Sequence, residues 1–351
     1  MSNNPLSENV KIKITESQND TTQPPVQNNT NIKSLDHLSP LWVPPCIINR
    51  SDLLNLKYLA KGGYGEVRTA LWNGKQVAAK FVERRDQRQL IDFKREFRAL
   101  KLSNNCNELI KFHGLSEGDK DGEYIIVMQY AESGTLKDYL ENNKNNLNID
   151  HKISLCKDIL KGLNFLHEND IIHRDLVTRL ADFGLSKSVH STGISGVRGM
   201  APFVDPKLLY SPNYSHDTST DIYSYGVLMW EISTCIQPFD GRQDHIILVL
   251  ELFFGVREKP KEGMPLDYVK IYEKCWNPNP SLRPNAIEAL NDLENLKKQP
   301  TVTKDDIQKF IPEYDLIKDI KEFIKTSYAD SDNKVQPQFI KEIIHEQKLD
   351  K

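Results

Sequence analysis

No stretch of about 18 consecutive apolar residues occurs in this chain, which is roughly the length a helix needs to cross a bilayer, so no membrane span is predicted. The segment from Met1 to Thr30 is rich in Asn, Gln, Ser and Thr and lacks the apolar run of a secretory signal. Cysteine is scarce and scattered: Cys46, Cys106, Cys156, Cys235 and Cys275 are odd in number and far apart. That spacing excludes a disulfide framework and a zinc clip, and predicts the reduced thiols of a cytoplasmic, or nuclear, protein. Excess charge is lacking too. With 46 Lys and Arg against 49 Asp and Glu, the net charge is −3, which gives nucleic acid or an anionic membrane no field to bind. No internal repeat appears.

What the sequence does have is an apolar pattern that changes period partway along. The 351 residues, 38% hydrophobic and 27% charged, suit a globular protein with polar ends. Residues 1–45 bury almost nothing and read as a disordered polar leader. From Leu54 to Leu59, Val67 to Trp72 and Gln76 to Val82 the chain alternates in short strand-like runs, and Asn73-Gly74 between two of them predicts a tight hairpin. Ile91–Leu102 takes helical spacing, and Tyr124–Met128 returns to a buried strand. Beyond Gly134 helices are predicted over Thr135–Asn142, Ile153–His167, Thr220–Ser233, Asp244–Phe254, Pro265–Cys275 and Asn285–Leu296. A strand-rich part followed by a helical part predicts an α+β fold of two lobes with a site between them. The predicted boundaries are 46–130 for the small lobe, 131–299 for the large lobe and 300–351 for a C-terminal tail.

The first chemistry is at the strand-rich end. Gly62, Gly63 and Gly65 lie between two strands, where the absence of Cβ atoms lets the backbone approach a phosphate chain closely. Lys80, at the end of Val77-Ala78-Ala79-Lys80 on the next strand, can reach phosphates, while the small side chain of Ala78 leaves room for a flat base. Glu96 on the following helix faces back and can hold the ammonium by a charge-assisted hydrogen bond.

The run Gly62-Gly63-Tyr64-Gly65-Glu66-Val67, then Val77–Lys80, then Glu96, resembles the small lobe of a eukaryotic protein kinase, with Ala60 in place of the first loop glycine. His173-Arg174-Asp175-Leu176, Asp182-Phe183-Gly184, Asp221-Ile222-Tyr223-Ser224-Tyr225-Gly226, Cys275-Trp276 and Arg283-Pro284 follow in kinase order. The set is similar to the tyrosine-kinase-like group of Ser/Thr kinases. The resemblance implies a bilobal kinase fold over about 54–297, ATP and Mg2+ as cofactors, and a protein substrate or a partner kinase. It implies Asp175 as the catalytic base, Asp182 as the metal ligand, and Lys80 with Glu96 on the phosphates. Gly62, Gly63, Gly65, Val67 and Ala78 would surround the nucleotide, with backbone groups of Gln129 and Ala131 on the adenine edge behind Met128. Leu100, Phe112, His173 and Phe183 match the apolar stack that links the lobes of an assembled kinase.

Beyond Ala60, the pattern departs from the family at four places. Five residues after Asp175, where kinases carry an Asn for a second magnesium, stands Leu180, and no Asn occurs from Leu176 to Ala181. The seven steps from Asp175 to Asp182 span at most about 25 Å at roughly 3.5 Å per residue. Both carboxylates could still converge, but the strand and hairpin that kinases place in this interval do not fit. Met200 follows Gly199 where a Thr is usual, and Lys207 stands where the Ala-Pro-Glu signature has its carboxylate, which predicts a like charge against Arg283 unless Asp205 supplies the acid from nearby.

Two further features lie outside the motifs. Ser188, Ser191, Thr192 and Ser195 are candidate phosphorylation sites. Asp315–Tyr328 and Gln338–Gln347 each place apolar residues on one helical face, predicting two amphipathic helices that pack on the large lobe or on each other, or dock a partner. Two readings of function follow: a protein kinase transferring phosphate to Ser or Thr, with Tyr as an alternative acceptor, or a pseudokinase or incomplete kinase chain acting by binding.

Overall fold

The computed structural model describes residues 47–62, 65–83, 96–120, 122–174, 176, 201–210, 214–242 and 245–309. The two predicted tail helices, the four candidate phosphorylation sites, Asp175 and Asp182 lie outside these residues. The described residues divide into two compact units, with the division at Gly134 and Thr135.

The first unit is an antiparallel sheet of five strands in the order β1-β2-β3-β5-β4. The strands are β1 (Leu54–Gly62), β2 (Gly65–Trp72), β3 (Lys75–Glu83), β4 (Phe112–Glu117) and β5 (Glu123–Gln129). The β2–β3 hairpin closes at Asn73 and Gly74, whose φ angles of 49° and 74° are left-handed. That geometry suits the right-handed strand twist and requires a residue pair of this kind. Alternation along β3 and β5 sorts the two faces: Val77, Ala79, Phe81, Ile125 and Val127 pack with Ile48 and Leu53, while Ala78, Lys80, Ile126 and Met128 point the other way. Residues 96–103 form the described part of helix α1. Strand β4 was not evident from the sequence. Its run Phe-His-Gly-Leu-Ser-Glu has weak alternation, and its pairing with β5 places it.

The second unit is helical. It contains α2 (Leu136–Asn143), α3 (Ile149–Glu168), α4 (Pro206–Tyr210), α5 (Thr218–Thr234), α6 (His245–Phe253), α7 (Leu266–Cys275), α8 (Ala286–Glu294) and α9 (Lys304–Lys309). Helix starts fall where capping chemistry puts them. The Thr135 and Asn285 side chains close capping boxes with Asp138 and Glu288, and the Asp217 carboxylate accepts from the amides of Ser219 and Thr220. Asn148 caps α3, which therefore begins before the Ile153 expected from the apolar pattern.

Helix α5 is buried on every side from Thr220 to Thr234, the mark of a central helix, and packs against α3 and α7. A Cβ on Gly226 would come within 2.9 Å of the Trp276 amide nitrogen and 3.0 Å of the Tyr272 carbonyl oxygen. Glycine here lets α5 lie directly against the backbone at the end of α7. Among the described residues, no helix is long and apolar enough to cross a membrane.

Candidate active site

Strand β3 and helix α1 bring together the two charged residues expected to act as a pair. Lys80 Nζ donates to Glu96 Oε1 at 2.8 Å, with side chains 3% and 7% exposed. Two charges this deep are tolerable because each neutralises the other through a charge-assisted hydrogen bond. Val67 of β2 lies directly across from Lys80, and Gly62 pairs with Gly65 where β1 turns into β2. The glycine turn and the lysine are thus on neighbouring strands of one sheet. Gly63 lies outside the described residues.

Ala78 is buried beside Lys80. At the end of β5, the Gln129 amide donates to the Lys111 carbonyl at 2.8 Å, and the Ala131 carbonyl accepts from the Gly134 amide at 3.1 Å. Leu100 and Phe112 of the expected apolar stack are both buried in this first unit. His173 belongs to the second unit, and Phe183 lies outside the described residues.

In the second unit Asp221, 1% exposed, gathers the chain just ahead of Asp175. Its Oδ2 accepts from the His173 amide at 2.8 Å, and its Oδ1 accepts from the Arg174 amide at 2.7 Å. The His167 ring Nε2 lies 2.9 Å from Oδ2 as a third partner. Arg174 has a φ of 69°, a left-handed conformation costly for a residue with a Cβ. A buried carboxylate accepting two adjacent amides offsets that cost and fixes the backbone leading into Asp175.

Of the two arrangements expected around Arg283, a like charge from Lys207 or an acid supplied by Asp205, the structure has the second. Arg283 Nη1 donates to Asp205 Oδ2, and both side chains are fully buried. Asp205 also accepts from the Tyr214 hydroxyl at 3.2 Å and the Lys207 amide at 3.0 Å. Lys207 points elsewhere, its Nζ 4.7 Å from the centroid of the Tyr214 ring. The acid has moved two positions along the chain, and the ion pair is intact.

Residues 53–293 match the family model of the protein tyrosine and serine/threonine kinases. The chain belongs to the protein kinase family.

The chain is similar to serine/threonine-protein kinase STY17 of Arabidopsis thaliana, with 29% identity over 72% of the chain and 46% of that protein. It is similar to probable serine/threonine-protein kinase SIS8 of the same plant, with 30% identity over 74% of the chain and 26% of that protein. The inactive tyrosine-protein kinase 7 of Mus musculus is a comparable relative, 29% identical over 70% of the chain and 25% of its own length. The matched part therefore covers between a quarter and about half of these relatives.

Protein kinases use ATP with Mg2+, and the described residues of the first unit are of a kind that suits a nucleotide's phosphates. Lys80 is a buried ammonium held by a carboxylate, on the strand next to a glycine turn. The expected metal ligand Asp182 is outside the described residues, and no group of three or more His, Cys, Asp or Glu side chains able to hold an ion occurs among those that are described.

Proposed function

We propose that this kinase binds ATP with Mg2+ in its first unit and its Asp182 segment, and directs the γ-phosphoryl group to a Ser or Thr hydroxyl of a protein substrate. The observation that carries the reading is the buried Lys80–Glu96 pair at 2.8 Å within a chain of kinase family. Lys80 would neutralise phosphate charge, Glu96 would hold Lys80 in place, and the amides around Gly62, Gly63 and Gly65 would cover the phosphates. Val67 and Ala78 would contact the base, whose edge would meet backbone groups of Gln129 and Ala131. Asp175 would orient the acceptor hydroxyl and take its proton, with Asp182 on the metal. The Asp221 bonds to the His173 and Arg174 amides support this role by fixing the approach to Asp175. Five scattered cysteines, of which the four in the described residues are free thiols, support a reducing compartment, cytoplasmic or nuclear.

A specific observation favours a second reading. Leu180 stands where a metal-binding Asn is required, in an interval too short for the usual hairpin, and one similar protein is named inactive. On this reading the chain keeps the kinase fold as a pseudokinase and acts through a protein partner, with the C-terminal amphipathic segments as a docking element.

Transfer of the γ-phosphate to a protein substrate by purified protein with Mg·ATP separates the two. The first reading expects turnover that disappears in Asp175→Asn. The second expects none, with a nucleotide-dependent rise in melting temperature that Lys80→Met removes. Absence of both turnover and nucleotide binding overturns the cofactor assignment.

A further inference from the structure

The end of α1 far from Glu96 is fastened to the sheet through one side chain. Asn104, just past the last helical residue, makes two hydrogen bonds to a single residue of β4. Its Nδ2 donates to the Phe112 carbonyl at 2.8 Å, and its Oδ1 accepts from the Phe112 amide at 2.8 Å. Around this clamp, Ser103 Oγ donates to the carbonyls of Leu100 at 2.7 Å and Ile110 at 2.6 Å. Lys111 Nζ donates to the Cys106 carbonyl at 2.8 Å and reaches the carbonyl of Ser103, the last helical residue, at 3.5 Å, meeting the negative end of the helix with a cation. Phe97, one residue after Glu96, packs edge-on against Phe112 with ring centroids 5.4 Å apart.

These contacts close a mechanical ring. Phe112 begins β4, which pairs with β5 at Leu115↔Ile126, and β5 pairs with β3 at Lys80↔Ile126. From Lys80 the ring continues through the ion pair to Glu96 and along the rigid helix back to Asn104. An ion pair between a strand and a helix is only as well placed as the helix. A helix held by apolar contacts alone can slide or roll, because such contacts have no direction, whereas two hydrogen bonds to the backbone N–H and C=O of one residue fix both position and orientation.

We propose that Asn104 is a positioning residue for the phosphate-binding pair: its clamp on the Phe112 backbone sets where α1 lies and keeps Glu96 on Lys80. The inference rests on the assignment of Lys80 and Glu96 to the nucleotide site, but its test needs no nucleotide. In the full chain, the rate at which an acetylating reagent modifies Lys80 is measured by peptide mass spectrometry, alongside amide exchange of α1 and of β5. Asn104→Ala is expected to raise Lys80 acetylation about tenfold, the scale of losing two side-chain hydrogen bonds, and to speed exchange in 97–103 while β5 stays protected. Combined with Glu96→Gln, it is expected to add little to the effect of Glu96→Gln alone, since both break one ring.

Asn104→Asp keeps the acceptor for the Phe112 amide, loses the donor to its carbonyl, and is expected to fall between. If Asn104→Ala does not fold, this variant carries the comparison. Unchanged Lys80 acetylation, or a rise matched by equal loss of β5 protection, overturns the proposal. A separate nucleotide titration that fails would count against the cofactor assignment and leave the clamp result standing.

Discussion

Asp205 and Arg283 form an ion pair in which neither side chain is exposed, although they lie 78 residues apart in the chain. Arg283 also donates to the Ser219 carbonyl at 3.0 Å and the Asn277 carbonyl at 2.8 Å, so one guanidinium ties together the segment before α4, the start of α5 and the turn after α7. Tyr223 lies against it, the Arg283 guanidinium carbon being 5.1 Å from the ring centroid.

Removing the acid leaves a buried cation without its charge partner, which in proteins costs about 3–5 kcal/mol. Asp205→Ala should therefore lower the unfolding free energy by about that amount in urea titrations. Lys207→Glu alone, which restores the family residue, should change it by less than about 1 kcal/mol, because Lys207 is not in the pair. A large gain from Lys207→Glu would contradict the relocation.

Asp221 serves a different purpose, holding backbone rather than charge. Asp221→Ala removes the acceptor of the His173 and Arg174 amides and frees the left-handed Arg174 to relax. Amide exchange at residues 173 and 174 should quicken by at least about tenfold, and stability should fall by roughly 3 kcal/mol. Asp221→Asn keeps one carbonyl oxygen and should fall between.

The Glu231 carboxyl is pushed up to about 7 by burial, with Lys137 lowering it and Glu141 raising it. The unfolded chain loses this proton near the ordinary carboxylate value, while the native state keeps it until about pH 7. Unfolding therefore releases a proton in that window, and stability falls as pH rises from about 4.5 to about 7. Glu231→Gln abolishes this contribution. The variant should gain on the wild type by up to about 3 kcal/mol across the same range, read as the difference in urea midpoints at pH 5 and pH 7.5. A difference that does not vary with pH would remove Glu231 as the cause.

Gly226 tests the approach of α5 to α7. The atoms a Cβ would strike include the Trp276 amide nitrogen and the Tyr272 carbonyl oxygen, and backbone cannot swing aside as a long side chain does. Gly226→Ala should cost about 1–3 kcal/mol in thermal or urea unfolding, despite the higher helix propensity of alanine.

Much of the site could be read directly from the chain. The Lys80–Glu96 pair was identifiable because a strand lysine and a helix glutamate at this separation, behind a glycine turn, can meet as an ion pair, and their bond is present at 2.8 Å. The helices of the second unit followed from apolar spacing and cap residues, with α3 extended by an Asn148 cap that the apolar pattern did not reveal. Asn104 gave no signal: an Asn after a helix usually reads as a loop residue, and its partner is a backbone unit eight positions on. Strand β4 was hidden for a related reason, since its pairing partner and not its own alternation defines it.

The sequence by itself determined the family, the α+β class and the identity of the charged groups, because these depend on residue type and local spacing. The tertiary structure decided which acid Arg283 pairs with, where the amides of His173 and Arg174 are held, and how α1 is fastened to β4. Each of those depends on residues distant in the chain or on backbone groups common to every residue, and folding alone selects which of them meet.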